Sequence, residues 1–170
     1  MNKSIPNNSC ILAVALSSKG FGFSVIEGQS TLIDWGFKKA KGDKNADSVE
    51  KAKKIISHYR PCAIILEDTS GKDSRRSLRI RRLGKRMVAL ASQEGIQAAV
   101  FSREQVRELF FAEELGTKDE LASIIAQKFP DELANRLPPT RKPWMSEDER
   151  MGIFEAVALG MTFRQFSKYN

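Results

Sequence analysis

The sequence predicts an α/β domain with a mixed five-stranded sheet, three antiparallel strands followed by parallel ones, flanked by helices. Three observations carry this. Five short apolar or β-branched segments are bounded by turn residues. The first three follow one another with only short connections, as antiparallel neighbours do. The last two alternate with helical stretches, the arrangement of parallel strands. At 170 residues, 41% hydrophobic and 29% charged, the composition is that of one soluble globular domain with a sizeable core. It excludes wholesale disorder, a collagen-like repeat and a disulfide scaffold.

Residues 1–9 are polar, carry Pro6 and read as a loose tail; residues 10–170 form the domain. Ile11 to Leu16 reads as a strand buried on both faces. Phe21 to Glu27 and Thr31 to Phe37 are β-rich, with Gly28-Gln29-Ser30 between them as a hairpin turn. Asp47 to Tyr59 shows helical spacing in Val49, Ala52, Ile55 and Ile56, opens on Asp47 and Glu50 in a capping-box-like pair, and ends at Pro61. Cys62 to Leu66 is another apolar strand. A basic helix runs from about Ser74 to Glu94 and stops at Gly95. Gln97 to Phe101 is the last strand, and the remainder is helical. Ser102 to Gln105, Thr117 to Glu120 and Ser146 to Glu149 all fit capping boxes. Pro138, Pro139 and Pro143 mark a stiff loop before the final helix.

Cys10 and Cys62 are the only cysteines, outside any zinc spacing, and read as reduced thiols in or beside buried strands. The early apolar run is too short for a signal-peptide core and nothing reaches transmembrane length, so a cytoplasmic location is expected.

The charge is concentrated. Lys and Arg number 28 against 21 acids, a net +7. The segment Arg75 to Arg86 holds Arg75, Arg76, Arg79, Arg81, Arg82, Lys85 and Arg86 and no acid, so outside it bases and acids balance. On a helix, Arg75, Arg79, Arg82 and Arg86 form a line about 16 Å long, opposite an apolar stripe of Ile80, Leu83, Met87 and Leu90. Such a row follows several phosphates of a nucleic acid. Without acids at i±4 to relieve the repulsion, a merely solvated face explains it poorly. A membrane is the weaker partner, because no Trp or Phe on that face can enter the interface. Lacking aromatic and amide side chains, the face should hold backbone and shape rather than read bases.

Two acidic features stand out. Glu67-Asp68 closes an apolar strand where α/β proteins place their sites, and such a pair can hold a hard divalent cation or simply make the turn. Glu155 shares a helix face with Met151, Phe154, Ala158 and Met161. A carboxylate there needs a proton, a metal or a salt-bridge partner, for instance an arginine of the basic helix. Asp148 can join it, although Glu147, Asp148 and Glu149 also suit an ordinary helix first turn. No GxxxxGK[ST] or GxSxG motif occurs, and His58 lies at the polar end of a helix.

The stretch Ile11 to Ile26 resembles the first hairpin of RuvC-type Holliday-junction resolvases, in the ribonuclease H-like superfamily. The strand order is similar, as are Glu67 after the fourth strand, Ser102 to Arg107 after the fifth, Gly116-Thr117-Lys118 opening a helix, and Glu155-Ala156 in the last helix. The resemblance covers most of the chain from Ile11 to Phe163. It implies a ribonuclease H-like fold, Mg²⁺ or Mn²⁺ if the protein is catalytic, Glu67, Glu155 and Asp148 as metal-binding and catalytic residues, and a homodimer acting on branched DNA rather than RNA. Arg75, Arg76, Arg79, Arg82, Lys85, Arg86 and Lys118 would bind the nucleic acid. Two departures stand against it. Ala15 occupies the place of the family's first-strand acid, and Gly152 the place of the acid one turn before Glu155. Two readings follow: a metal-dependent endonuclease of doubtful activity, or a non-catalytic DNA- or RNA-binding module using residues 75–86.

Overall fold

The computed structural model describes residues 9–71, 75–112 and 116–167. Residues 1–8 of the expected tail lie outside the described residues, as does Ser74, the expected start of the basic helix. Strands β1 (Cys10–Leu16), β2 (Gly20–Glu27), β3 (Thr31–Lys39), β4 (Ala63–Glu67) and β5 (Gln97–Phe101) form one sheet in the order β3-β2-β1-β4-β5. The β1–β2 and β2–β3 pairs are antiparallel, β1–β4 and β4–β5 parallel. The mixed five-stranded sheet read from the sequence is therefore present.

Side-chain alternation divides the core between the two faces of the sheet. Ile11, Ala13 and Ala15 of β1, with Ala63 and Ile65 of β4, face helix α6 (Met151–Ser167) and helix α4 (Lys118–Lys128). Leu12, Val14 and Leu16, with Ile64 and Leu66, face helices α1 (Lys44–Tyr59) and α2 (Leu78–Gln93). The chain is completed by α3 (Arg103–Phe110), a short α5 (Pro130–Leu133) and a 3₁₀ turn, Ala134–Arg136. No helix among the described residues is long and apolar enough to cross a membrane.

Three helix starts differ from the sequence reading. Helix α1 begins three residues before Asp47, because Asp43 caps it by accepting from the Ala46 amide. Helix α2 begins at Leu78 with Ser77 as its cap, so Arg75 and Arg76 precede the helix instead of riding on it. The expected box at Ser146 does not form; the chain enters α6 through turns from Asp148, Glu149 and Arg150 carbonyls to the Met151, Gly152 and Ile153 amides. By contrast, Ser102 and Gln105 make the full reciprocal box on α3, and Thr117 caps α4.

Helix α6 is buried almost all round rather than along one stripe. What lets it lie so close to the sheet is small residues. A Cβ on Gly22 of β2 would stand 2.1 Å from the Gly152 carbonyl carbon, and one on Gly152 only 3.3 Å from Gly22 backbone atoms. The two backbones cross in contact. Gly152 is thus a packing residue, and a side chain in that position would press on the Gly22 backbone.

Candidate functional site

The parallel register sets the centre of the site. Val14 lies opposite Leu66, so the next pair, Ala15 and Glu67, stand side by side at the carboxyl ends of β1 and β4. Helix α6 brings Glu155 to the same place. A cavity of about 40 Å³ there is lined by Ala15, Glu67, Arg76, Arg103, Arg107 and Glu155. It opens beside a wider cleft of about 350 Å³ between the β1–β2 turn, residues 75–77 and the start of α6.

Each carboxylate of this centre is already paired with a cation of the chain. Arg76 donates twice to Glu67 Oε2, from Nη2 at 2.5 Å and Nε at 3.1 Å, and from Nη1 to the Leu16 carbonyl at 3.1 Å. The guanidinium thus ties the ends of β1 and β4 together. Burial works against its charge, but the Glu67 carboxylate, helped by Glu155 and Glu147, outweighs this and raises Arg76 above the ordinary arginine pKa. Lys118, the first residue of α4, places its Nζ 3.1 Å from Glu155 Oε1 and donates to both Glu147 oxygens at 2.9 and 3.0 Å. Asp148 lies just outside α6 with Arg150, which donates to it from Nη2 at 2.8 Å and Nε at 3.0 Å and holds its carboxyl below the usual range. Arg107, buried behind the centre, donates to the Gly116 carbonyl, and burial together with nearby Arg103 lowers its pKa.

The donors do not suit the divalent-metal centre that the resemblance implies. Such a centre needs several oxygen ligands converging from separate elements. Among the described residues no group of three or more His, Cys, Asp or Glu is placed to hold a metal ion. Glu67 and Glu155 come together as expected, Asp148 does not complete a cluster with them, and Ala15 contributes only a methyl group between them. Glu155 makes a salt bridge, and its partner is Lys118 of α4 rather than an arginine of the basic helix.

The predicted nucleic-acid residues separate into three groups. Arg76 and Lys118 are spent on the internal ion pairs. Arg79 is half-committed, donating to Asn45 Oδ1 at 2.9 Å and to the Ser18 carbonyl at 3.2 Å. Arg75, Arg82, Lys85 and Arg86 are exposed. The unbroken four-arginine line does not exist, because Arg75 lies before the helix begins. The surface is wider than the line, however. Lys19 in the β1–β2 turn, Lys38 at the end of β3, Lys41 and Lys44 at the start of α1 are all exposed at the same end of the sheet. Lys44 and Arg79 both donate to the Ser18 carbonyl, which joins these parts into one basic face. The sequence signal for it was present in Lys38-Lys39-Ala40-Lys41, but a net balance over the rest of the chain concealed it.

No protein-family model matches the chain, and no curated protein does. Solved structures do. RuvC of Thermus thermophilus is similar at a TM-score of 0.67 and 14% identity, covering 94% of this chain and 96% of that one. Its complex with a Holliday-junction substrate gives 0.68 and 14%, covering 95% and 96%. The yeast mitochondrial Holliday junction resolvase gives 0.62 and 12%, covering 97% and 82%. The chain therefore has the ribonuclease H-like fold of the RuvC-type resolvases, as its sequence leads one to expect.

Proposed function

We propose that this protein binds branched or otherwise structured DNA on a RuvC-type fold, and that it does so without metal-dependent cleavage. The observation that carries this reading is the pairing of both central carboxylates with the chain's own cations, Glu67 with Arg76 and Glu155 with Lys118, beside Ala15. In a two-metal nuclease the ions neutralise the carboxylates and offer a positive face to the scissile phosphate. Here a guanidinium and an ammonium neutralise them. Neither can generate a hydroxide nucleophile, but both can lie near a phosphate. The basic face built from Lys19, Lys38, Lys41, Lys44, Arg82, Lys85 and Arg86 supplies the long-range attraction, and its lack of base-reading groups suits recognition of shape. DNA is favoured over RNA because solved structures of the same fold hold Holliday-junction DNA.

Binding of a four-way junction, a plain duplex and single strands of DNA and RNA, measured in EDTA and again in Mg²⁺ or Mn²⁺, tests the reading. Tightest binding to the junction in EDTA, without any need for metal, and no strand cut when Mg²⁺ or Mn²⁺ is added, is the expected result. Metal-dependent cleavage that disappears in Glu67→Gln would overturn it in favour of an endonuclease.

A further inference from the structure

The loop between the 3₁₀ turn and α6 carries the most exposed large apolar side chain among the described residues. Trp144 is 79% exposed, whereas Trp35, the other tryptophan, is packed against the core. Leaving an indole in water is unfavourable, and this one lies outside the packed core on either face of the sheet. The loop is stiff. Pro138, Pro139 and Pro143 restrict its backbone, the Met145 amide donates to the Lys142 carbonyl at 3.0 Å, and Arg141 Nε donates to the Met145 carbonyl at 2.8 Å. Trp144 therefore sits at the tip of a turn closed from both sides, so holding it in place on binding costs little entropy.

The surroundings say what the ring meets. From Leu133 to Ser146 the chain has three bases, Arg136, Arg141 and Lys142, and no acid. Lys142 Nζ lies 5.4 Å from the Trp144 ring centroid. Met145, the next residue, lines a cleft of about 690 Å³ of mixed charge. In it Lys118 and Arg150 are paired with Glu147 and Asp148, Asp119 and Glu149 add two acids, and Lys19 and Arg141 add two bases on the loop and turn side. An exposed aromatic ring with one ammonium over it, on a loop that carries Arg136, Arg141 and Lys142 and no acid, is the chemistry that binds unstacked nucleobases. Bases inside an intact duplex already stack on both faces and have none to offer.

We propose that Trp144 is a base-stacking residue, taking the free face of a nucleobase exposed at a branch point or unpaired position of nucleic acid lying in the cleft. This rests on the DNA-binding reading above and adds to it the part of the substrate that is sensed. With Trp35→Phe as background, the tryptophan emission comes from Trp144 alone. Titration with a four-way junction carrying unpaired thymines should quench it, while a flush-ended duplex should quench it far less. Trp144→Ala should weaken junction binding roughly 5- to 150-fold, the span of one base–aromatic stack, with duplex affinity unchanged; Trp144→Phe should retain most of the binding. Junction binding that neither quenches the emission nor responds to Trp144→Ala would overturn the proposal while leaving the DNA-binding reading intact. Quenching by phosphatidylserine vesicles but not by the junction would assign the ring to a lipid surface instead. If the wild-type protein bound neither junction nor duplex, the DNA-binding reading itself would fail.

Discussion

Replacing Arg76 with alanine removes the guanidinium that bridges Glu67 and the Leu16 carbonyl. The Glu67 and Arg76 side chains are 22% and 31% exposed. Fully exposed pairs contribute about 0–1 kcal/mol, whereas breaking a buried one costs about 3–5 kcal/mol through the charge left behind. A pair between these limits, with two hydrogen bonds to one carboxylate oxygen and a third to backbone, should cost about 2 kcal/mol. For a domain of this size that lowers Tm by roughly 4–8 °C. Thermal and urea unfolding of Arg76→Ala, Glu67→Gln and the double variant isolate the pairwise part, expected at about 1–2 kcal/mol. Single effects that simply add, within about 0.3 kcal/mol, would refute the claim that these two groups stabilise one another. The same variants probe the metal question. Millimolar Mg²⁺ should leave the Tm of the wild type unmoved. Arg76→Ala combined with Ala15→Asp frees Glu67 and adds an acid beside it, and this variant should be stabilised by about 1.4 kcal/mol for each tenfold rise of Mg²⁺ above Kd. A wild type stabilised by Mg²⁺ would show that its own cations do not stand where the ion would.

Other consequences can be measured separately. Gly22→Ala drives a methyl group into the Gly152 backbone and should destabilise by about 1–3 kcal/mol or more in urea unfolding; an unchanged midpoint would mean that α6 does not cross β2 so closely. Replacing Arg82, Lys85 and Arg86 by alanine should flatten the slope of log affinity against log salt by up to about 2.7, three phosphates' worth. An unchanged slope would remove α2 from the DNA-binding face. Burial and the neighbouring Cys62 push the Cys10 thiol from 9.0 to about 11. The folded protein thus keeps a proton that the unfolded chain releases first, and stability should fall as pH rises from about 9 to 11. Urea unfolding of Cys10→Ala should show a shallower fall over that window, and parallel curves would count against the shift.

Much of the fold was legible because it rests on local rules. Strand periodicity, the turn at Gly28 and the caps at Ser102 and Thr117 depend on near neighbours and appear where the residues imply. The misplaced helix starts arose where local rules left two choices open. Asp43 and Asp47 both offer capping carboxylates, and Ser77 competes with Ser74 for the start of α2; which one caps depends on how each helix seats on the sheet. The charge sum misled in a different way. It assigned the positive surface to twelve residues, yet Arg76 turned inward while Lys19, Lys38, Lys41 and Lys44 joined the surface from three other segments.

By itself, the sequence determined the α/β class and the strand count, since a mixed sheet with these connections admits few arrangements. The meeting of Glu67, Glu155 and Asp148 was implied by the family resemblance, and of these Glu67 and Glu155 line one cavity. The sequence also showed that two expected acids were absent. Only the tertiary structure decided what fills their place. Ion pairing acts over a few ångströms, and the path of the chain sets the partners: Arg76, between strand and helix, turns back to Glu67 nine residues earlier, and Lys118 reaches Glu155 from another helix. Gly152 likewise looked like a lost ligand and is a close backbone crossing with Gly22. Such contacts follow from how helices dock on the sheet, which no local pattern specifies.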